Sequence, residues 1–132
     1  MSATGSVLLD TSIIIDYLRK RDWELVRQLE SAGELFLPLV ALGELLFGAH
    51  KSKQKERTLD DVANFVQVCT IVEPDEVTAD LYGQIKASLD SRRTPIPQND
   101  IWIAASALEH DLPLATRDQH FSKVAGLAVL DW

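Results

Sequence analysis

The sequence predicts an α/β fold: a three-layer α/β/α sandwich with a short, five-stranded parallel sheet. Three observations predict it. Five short apolar runs recur along the chain, at Val7–Leu9, 35–37, 70–72, 114–116 and 128–130. The segments between them carry apolar residues at spacings of three and four, the signature of helices with one buried stripe. The runs are almost unbroken in hydrophobicity rather than alternating, as in parallel strands buried on both faces by helices.

The elements follow in order. Val7–Leu9 ends at Asp10, and 11–21 reads as a helix in which Ser12 can cap. Trp23, Val26, Leu29 and Glu30 continue as a second helical set, closed by Gly33. The strand 35–37 stops at Pro38. The helix from Leu39 then shows an apolar face of Leu39, Leu42, Leu46 and Ala49, with Glu44 off that face. A polar, mainly basic stretch, 51–57, leads into a stripe of Leu59, Val62, Ala63 and Val66. After the strand 70–72 and Pro74, a long helix is marked by Val77, Leu81, Ile85 and Leu89, with Arg92 and Arg93 near its end. The connector 94–97 holds two prolines and is stiff. A helix then begins near Asn99 and Asp100 and runs to about His110, with Gln98 or Asn99 as cap and Pro97 pre-setting the entry. A short helix, 121–124, separates the last two strands. No linker, repeat or low-complexity segment interrupts the chain, so residues 1–132 read as one domain.

Composition narrows the function. Apolar residues make up 46% and charged residues 25%, the balance of a globular protein. Charges recur too often for a membrane span, and the N-terminus lacks the basic region of a signal peptide. The lone Cys69 excludes an internal disulfide and agrees with a reducing, cytoplasmic setting. A net charge of −7 argues against a module that holds nucleic acid by charge alone. It leaves room for a nuclease, because bound divalent ions reverse the local field.

Three acids stand where acids are costly. Asp10 is the only charged residue between Met1 and Ile15, Glu44 between Leu35 and Ala49, and Asp100 between Thr94 and Leu108. A fourth, Asp118, follows the apolar run 112–116. A buried carboxylate is normally paired, protonated or bound to metal, and no matching set of buried cations is present. In open α/β sheets the ligand site lies beyond the carboxyl ends of the strands, where strand order reverses. If the first and fourth strands straddle that point, the four acids reach one pocket. Oxygen-only ligands suit Mg²⁺ or Mn²⁺, and the chemistry such a pocket supports is phosphodiester hydrolysis. Ser12 and Thr116 place hydroxyls beside the acids, in reach of carboxylate or bound water.

Leu9-Asp10-Thr11-Ser12, the lone Glu44, the run from Asn99-Asp100 to Ala105 and the segment 114–118 occur in the order of a known pattern. Together they resemble the PIN domain, and most closely the VapC-type toxins of bacterial toxin–antitoxin systems. The resemblance covers the chain from Val7 to Trp132. It implies a Mg²⁺- or Mn²⁺-dependent ribonuclease with Asp10, Glu44, Asp100 and Asp118 as the acidic active-site residues. Ser12, Asn99 and Thr116 are the supporting polar residues, Ser12 standing where Asn is frequent. It further implies a homodimer neutralised by a VapB-like antitoxin whose C-terminal tail covers the site. Arg93 and Arg117 are the cations nearest these motifs and the candidates for RNA phosphate.

Competing readings stay open at this point. A PIN-type nuclease of RNA maturation or decay, or a non-catalytic module on the same fold, fits the same elements. Asp10 alone could cap a helix, Glu44 could pair with a cation, and 116–119 could be a plain turn. Asp16 with Lys20 reads as a surface ion pair, and the basic clusters 19–21, 51–57 and 92–93 as solvated faces. His50, His110 and His120 lack ligand spacing and read as surface residues, Cys69 and Trp102 as core. Neither a Gly-rich phosphate loop nor a nucleophile elbow occurs. The start Asp10-Thr11-Ser12 lacks the second Asp of haloacid-dehalogenase-type phosphotransferases, and Ile14 replaces the third hydroxyl of an integrin-like metal site.

Overall fold

A computed structural model describes residues 5–19 and 22–132. The chain runs β1 (Val7–Leu9), α1 (Thr11–Arg19), α2 (Trp23–Ser31), β2 (Leu35–Pro38), α3 (Leu39–His50), α4 (Lys55–Val66), β3 (Cys69–Val72), α5 (Glu76–Ser91), α6 (Gln98–Glu109), β4 (Leu114–Ala115), a 3₁₀ turn (Gln119–Lys123) and β5 (Val129–Leu130). All strands pair in parallel, in the order β3-β2-β1-β4-β5. The order reverses between β1 and β4, where Leu8 pairs with Leu114 and Leu9 with Ala115.

Successive side chains of a strand point to opposite faces. Val7, Leu8 and Leu9 are all buried, as are Leu114 and Ala115, so both faces of the sheet are covered and the fold has three layers. Against them pack Ile13, Ile14, Leu25, Leu37, Ile101, Ile103 and Phe121, each almost wholly inaccessible. Burying one such side chain contributes about 1.5–3 kcal/mol. The edge strands are short: β3 has four residues, of which only Val72 is buried, and β5 has two.

Local chemistry fixes several element ends. Asp22 caps α2 by accepting from the Leu25 N–H at 3.1 Å. Asp75 and Thr78 form a capping box at α5. The fully buried Thr78 also donates to Glu109, joining the start of α5 to the end of α6. Both α5 and α6 end in a left-handed residue, Arg93 (φ 58°) and Asp111 (φ 52°). In each case the following N–H reaches back five residues, from Thr94 to the Leu89 carbonyl (3.0 Å) and from Leu112 to that of Ala107 (2.9 Å). That is the Schellman geometry, built here without glycine.

Some sequence expectations need correction. In α3 the buried stripe is Ala41, Leu45 and Ala49, with Leu42 and Leu46 packed against the core beside it, whereas Leu39 is 43% and Phe47 66% exposed. That helix is apolar on every side, so spacing alone did not choose the face. Ser12 does not cap α1, which begins at Thr11. Gln98 and Asn99 lie inside α6 rather than capping it, behind Pro97. Trp102 is only half-buried and stacks on Tyr82 at 4.3 Å, bridging α5 and α6. Cys69 is half-buried on the edge strand, and desolvation pushes its thiol up to about 11. The expected pair of Asp16 with Lys20 falls outside the described residues; Asp16 pairs with Arg117 at 3.1 Å.

A β-carbon in the left-handed region costs about 1 kcal/mol, part of which glycine returns as unfolded-state entropy. Arg93→Gly should therefore raise unfolding stability by about 0.5–1 kcal/mol in denaturant titration, and a loss would show that its side chain anchors the loop.

Candidate metal centre

The reversal between β1 and β4 sets Asp10 beside Thr116. The Asp10 N–H donates to the Ala115 carbonyl at 3.0 Å, which continues the ladder and carries both side chains to the strand ends. Thr116 then donates its hydroxyl to Asp10 Oδ2 at 2.7 Å, and Ser12 donates to the same oxygen at 2.8 Å. Both hydroxyls choose Oδ2, so neither occupies Oδ1. Thr116 Oγ1 also accepts the Asp118 N–H at 3.0 Å, tying the two acids to one hydroxyl.

Asp118 caps the 3₁₀ turn, its Oδ1 accepting the His120 N–H at 2.9 Å. That turn folds the His120 ring back onto the acids. Its Nδ1 lies 3.0 Å from Asp118 Oδ1 and 3.3 Å from Asp100 Oδ2. Asp100 sits in the first turn of α6, where the exposed N–H groups favour negative charge. Ligand atoms of Asp100, Asp118 and His120 all lie within 4.8 Å of one another.

Glu44 stands outside that set. Thr11 donates to its Oε1 at 2.7 Å and the Asn99 amide to its Oε2 at 3.4 Å. It thus borders the centre from α3, held by α1 and by the residue before Asp100. Arg117 is not a free cation. Its guanidinium pairs with Asp16 (3.1 Å) and Asp22 (2.5 Å) and donates to the Trp132 carbonyl at 2.7 Å. Its backbone N–H donates to Ser12 Oγ at 3.3 Å. Arg117 therefore clamps the end of α1, the start of α2 and the C-terminus onto the site loop. Arg93 is exposed in the α5–α6 connection.

The electrostatics are those of a site short of positive charge. Asp10 and Asp100 are buried, 4% and 8% exposed. Burial raises the Asp10 pKa most, with a further rise from Asp118, against the lowering effect of the Thr116 and Ser12 hydroxyls. Burial, then the charges of Asp10 and Asp118, push Asp100 up to about 6, against a lowering by His120. A hard divalent cation among these oxygens would relieve the repulsion, so the residues fit Mg²⁺ or Mn²⁺. Asp10, Asp100 and Asp118 could hold it, with Glu44 at the border.

Two residues escaped the sequence reading. His120 follows Asp118 by two, the spacing of Ser12 after Asp10, and that parallel was the available signal. Thr11 lay inside the quoted motif, but nothing in the sequence showed that its hydroxyl faces α3.

Comparison with known proteins follows the same lines. The family model described as PIN domain matches residues 7–127. Ribonuclease VapC2 of Haemophilus influenzae is 32% identical over 127 residues, covering 95% of this chain and 96% of that protein. The tRNA(fMet)-specific endonuclease VapC of Shigella flexneri is 31% identical with the same coverage. The structure of DNA-bound VapBC from Salmonella typhimurium superposes with a TM-score of 0.89 at 27% identity, covering 96% of this chain and 98% of that one.

Asp100 holds its proton more tightly in the folded protein than unfolded, because its pKa rises from 3.8 to about 6. Protonation therefore favours the fold, and the metal-free protein should lose stability as pH rises through that window, with Asp10 acting in the same direction. With solvent screening allowed for, Asp100→Asn in chelator at pH 8 should gain about 1–2 kcal/mol and flatten the pH slope. Thermal melts from pH 4 to 8 check this; an unchanged slope would remove Asp100 as its source.

Proposed function

The chain belongs to the PIN-domain family, and from that premise we propose that it is a metal-dependent endoribonuclease, the toxin of a VapBC-type toxin–antitoxin pair. The observation that carries the reading is the convergence of Asp10, Asp100 and Asp118 at the β1–β4 reversal, without a compensating Lys or Arg among the described residues. The VapC ribonucleases it resembles over nearly the whole chain support the substrate class.

Asp10, Asp100 and Asp118 would hold Mg²⁺ or Mn²⁺, with Glu44 beside them. When bound, such an ion supplies Lewis-acid activation of water and charge neutralisation at the scissile phosphate. The chain's own residues do the positioning. Ser12 and Thr116 fix the Asp10 carboxylate in one rotamer, and Thr116 couples it to the loop of Asp118. Thr11 and Asn99 aim Glu44 across the mouth of the site, where a carboxylate can orient a water and accept its proton. Arg93 is the exposed cation of this reading that can meet an RNA phosphate. Arg117 is withdrawn from that role by its ion pairs and instead keeps Thr116 and Asp118 in place.

Two protein partners belong to the same reading: a VapB-like antitoxin and a second copy of the chain. A groove lined by Ile15, Leu18, Leu45, Ala49 and Val62 runs beside Glu44, so a segment bound there would end at the acids. The outward Leu39 and Phe47 of α3 leave apolar surface for a further contact. No helix among the described residues is long and apolar enough to cross a membrane. The reading places the activity in the cytoplasm, with RNA.

Purified protein with Mg²⁺ or Mn²⁺ should cut an RNA pool into discrete fragments. Asp10→Asn or Asp100→Asn should lower the rate at least ~100-fold, and Thr116→Val by about 10–100-fold through loss of the support to Asp10. Equal cleavage by wild type and Asp100→Asn would refute the assignment. No cleavage, with no metal-dependent shift in melting temperature, would favour a non-catalytic module.

A further inference from the structure

We infer that His120 is a nitrogen ligand of the cation held by Asp100 and Asp118, which makes the centre a mixed oxygen–nitrogen site that prefers Mn²⁺ to Mg²⁺. The inference rests on the metal-nuclease reading above. Its ground is the position of Nδ1, 3.0 Å from one carboxylate oxygen and 3.3 Å from the other. Neighbouring ligands of a six-coordinate ion at metal–ligand distances of ~2.1 Å stand ~3 Å apart. Nδ1 stands at that spacing from each of the two carboxylate oxygens, and the ligand atoms of all three residues lie within 4.8 Å of one another.

The ring is also held there. Its backbone N–H is bound by Asp118 Oδ1, and the next residue, Phe121, is fully buried. The side chain is 45% exposed, and among the described residues Nδ1 meets only these two acids. Packing therefore does not explain its orientation. An imidazole nitrogen adds no negative charge to three crowded carboxylates. It binds Mn²⁺ more strongly than Mg²⁺, which strongly prefers oxygen. The other histidines cannot substitute. His50 is exposed at the end of α3, and His110 follows the far end of α6, about 15 Å along the helix from Asp100.

Pulsed electron paramagnetic resonance on the full chain with substoichiometric Mn²⁺ tests this. The wild-type spectrum should show the modulation of a directly bound ¹⁴N, replaced by the ¹⁵N pattern when histidine is isotopically labelled and lost in His120→Ala. Calorimetric titration with each ion should show the Mn²⁺-over-Mg²⁺ preference falling in His120→Ala by at least about tenfold, the scale at which changes around a metal act. Should that variant fail to fold, the isotope exchange in the wild type still decides. Mn²⁺ bound without nitrogen modulation overturns the inference and leaves the metal nuclease standing. A wild-type protein that binds no Mn²⁺ overturns both.

Discussion

Like charges held close together in a poorly solvated place oppose folding. Asp10, Asp100 and Asp118 are such a set: burial first, and their mutual repulsion in addition, raise the first two above the ordinary carboxylate range. Something must hold them together before a cation arrives. The clamp is the core beneath them. Leu8, Leu9, Ile101, Ile103, Leu114 and Phe121 are almost wholly buried, and each contributes about 1.5–3 kcal/mol. The apolar stretches that made the acids conspicuous in the sequence are thus the force that brings them together.

Topology then turns a cost into a site. A parallel sheet leaves its ligand crevice where strand order reverses, and here that point lies between β1 and β4. The β1–β4 register places Asp10 and Thr116 side by side, and one hydroxyl serves both Asp10 and Asp118. Arg117 locks the loop between them to α1, α2 and the C-terminus, so the site is tied to most of the first third of the chain. Glu44 enters from α3 through Thr11 and Asn99. The site therefore rests on rigid elements and short loops, as chemistry needing fixed geometry requires.

Much of this was legible in the sequence. The five strands and their parallel pairing followed from unbroken apolar runs alternating with helical spacing, whereas the β1–β4 reversal entered only as a condition that the strand order meets. The convergence of Asp10, Asp100 and Asp118 followed from charge isolated in core. What was not legible has a common cause. The inward face of α3 could not be chosen because large apolar residues lie on several of its sides while two of the three buried residues are alanines. The engagement of Arg117 depends on Asp16 and Asp22, about a hundred residues away in the chain, and no local pattern encodes such a pairing. The three histidines share no ligand spacing with one another, and the contacts of His120 are with Asp118 two residues before it and with Asp100 from another element. Ser12 and Asn99 were noticed for their polarity and given caps as one use, whereas tertiary contacts with Asp10 and Glu44 claimed their side chains.

Everything proposed for this site requires that the acids at the β1–β4 reversal bind a divalent cation. Anomalous diffraction from crystals soaked in Mn²⁺ addresses it directly. A single strong peak at metal–oxygen distance, about 2.0–2.2 Å, from the carboxylates of Asp10 and Asp100 is the expected result. A second peak within ~4 Å would be a two-metal centre and equally in accord. No peak there, or Mn²⁺ only on surface acids such as Asp60 and Asp61, would contradict the account.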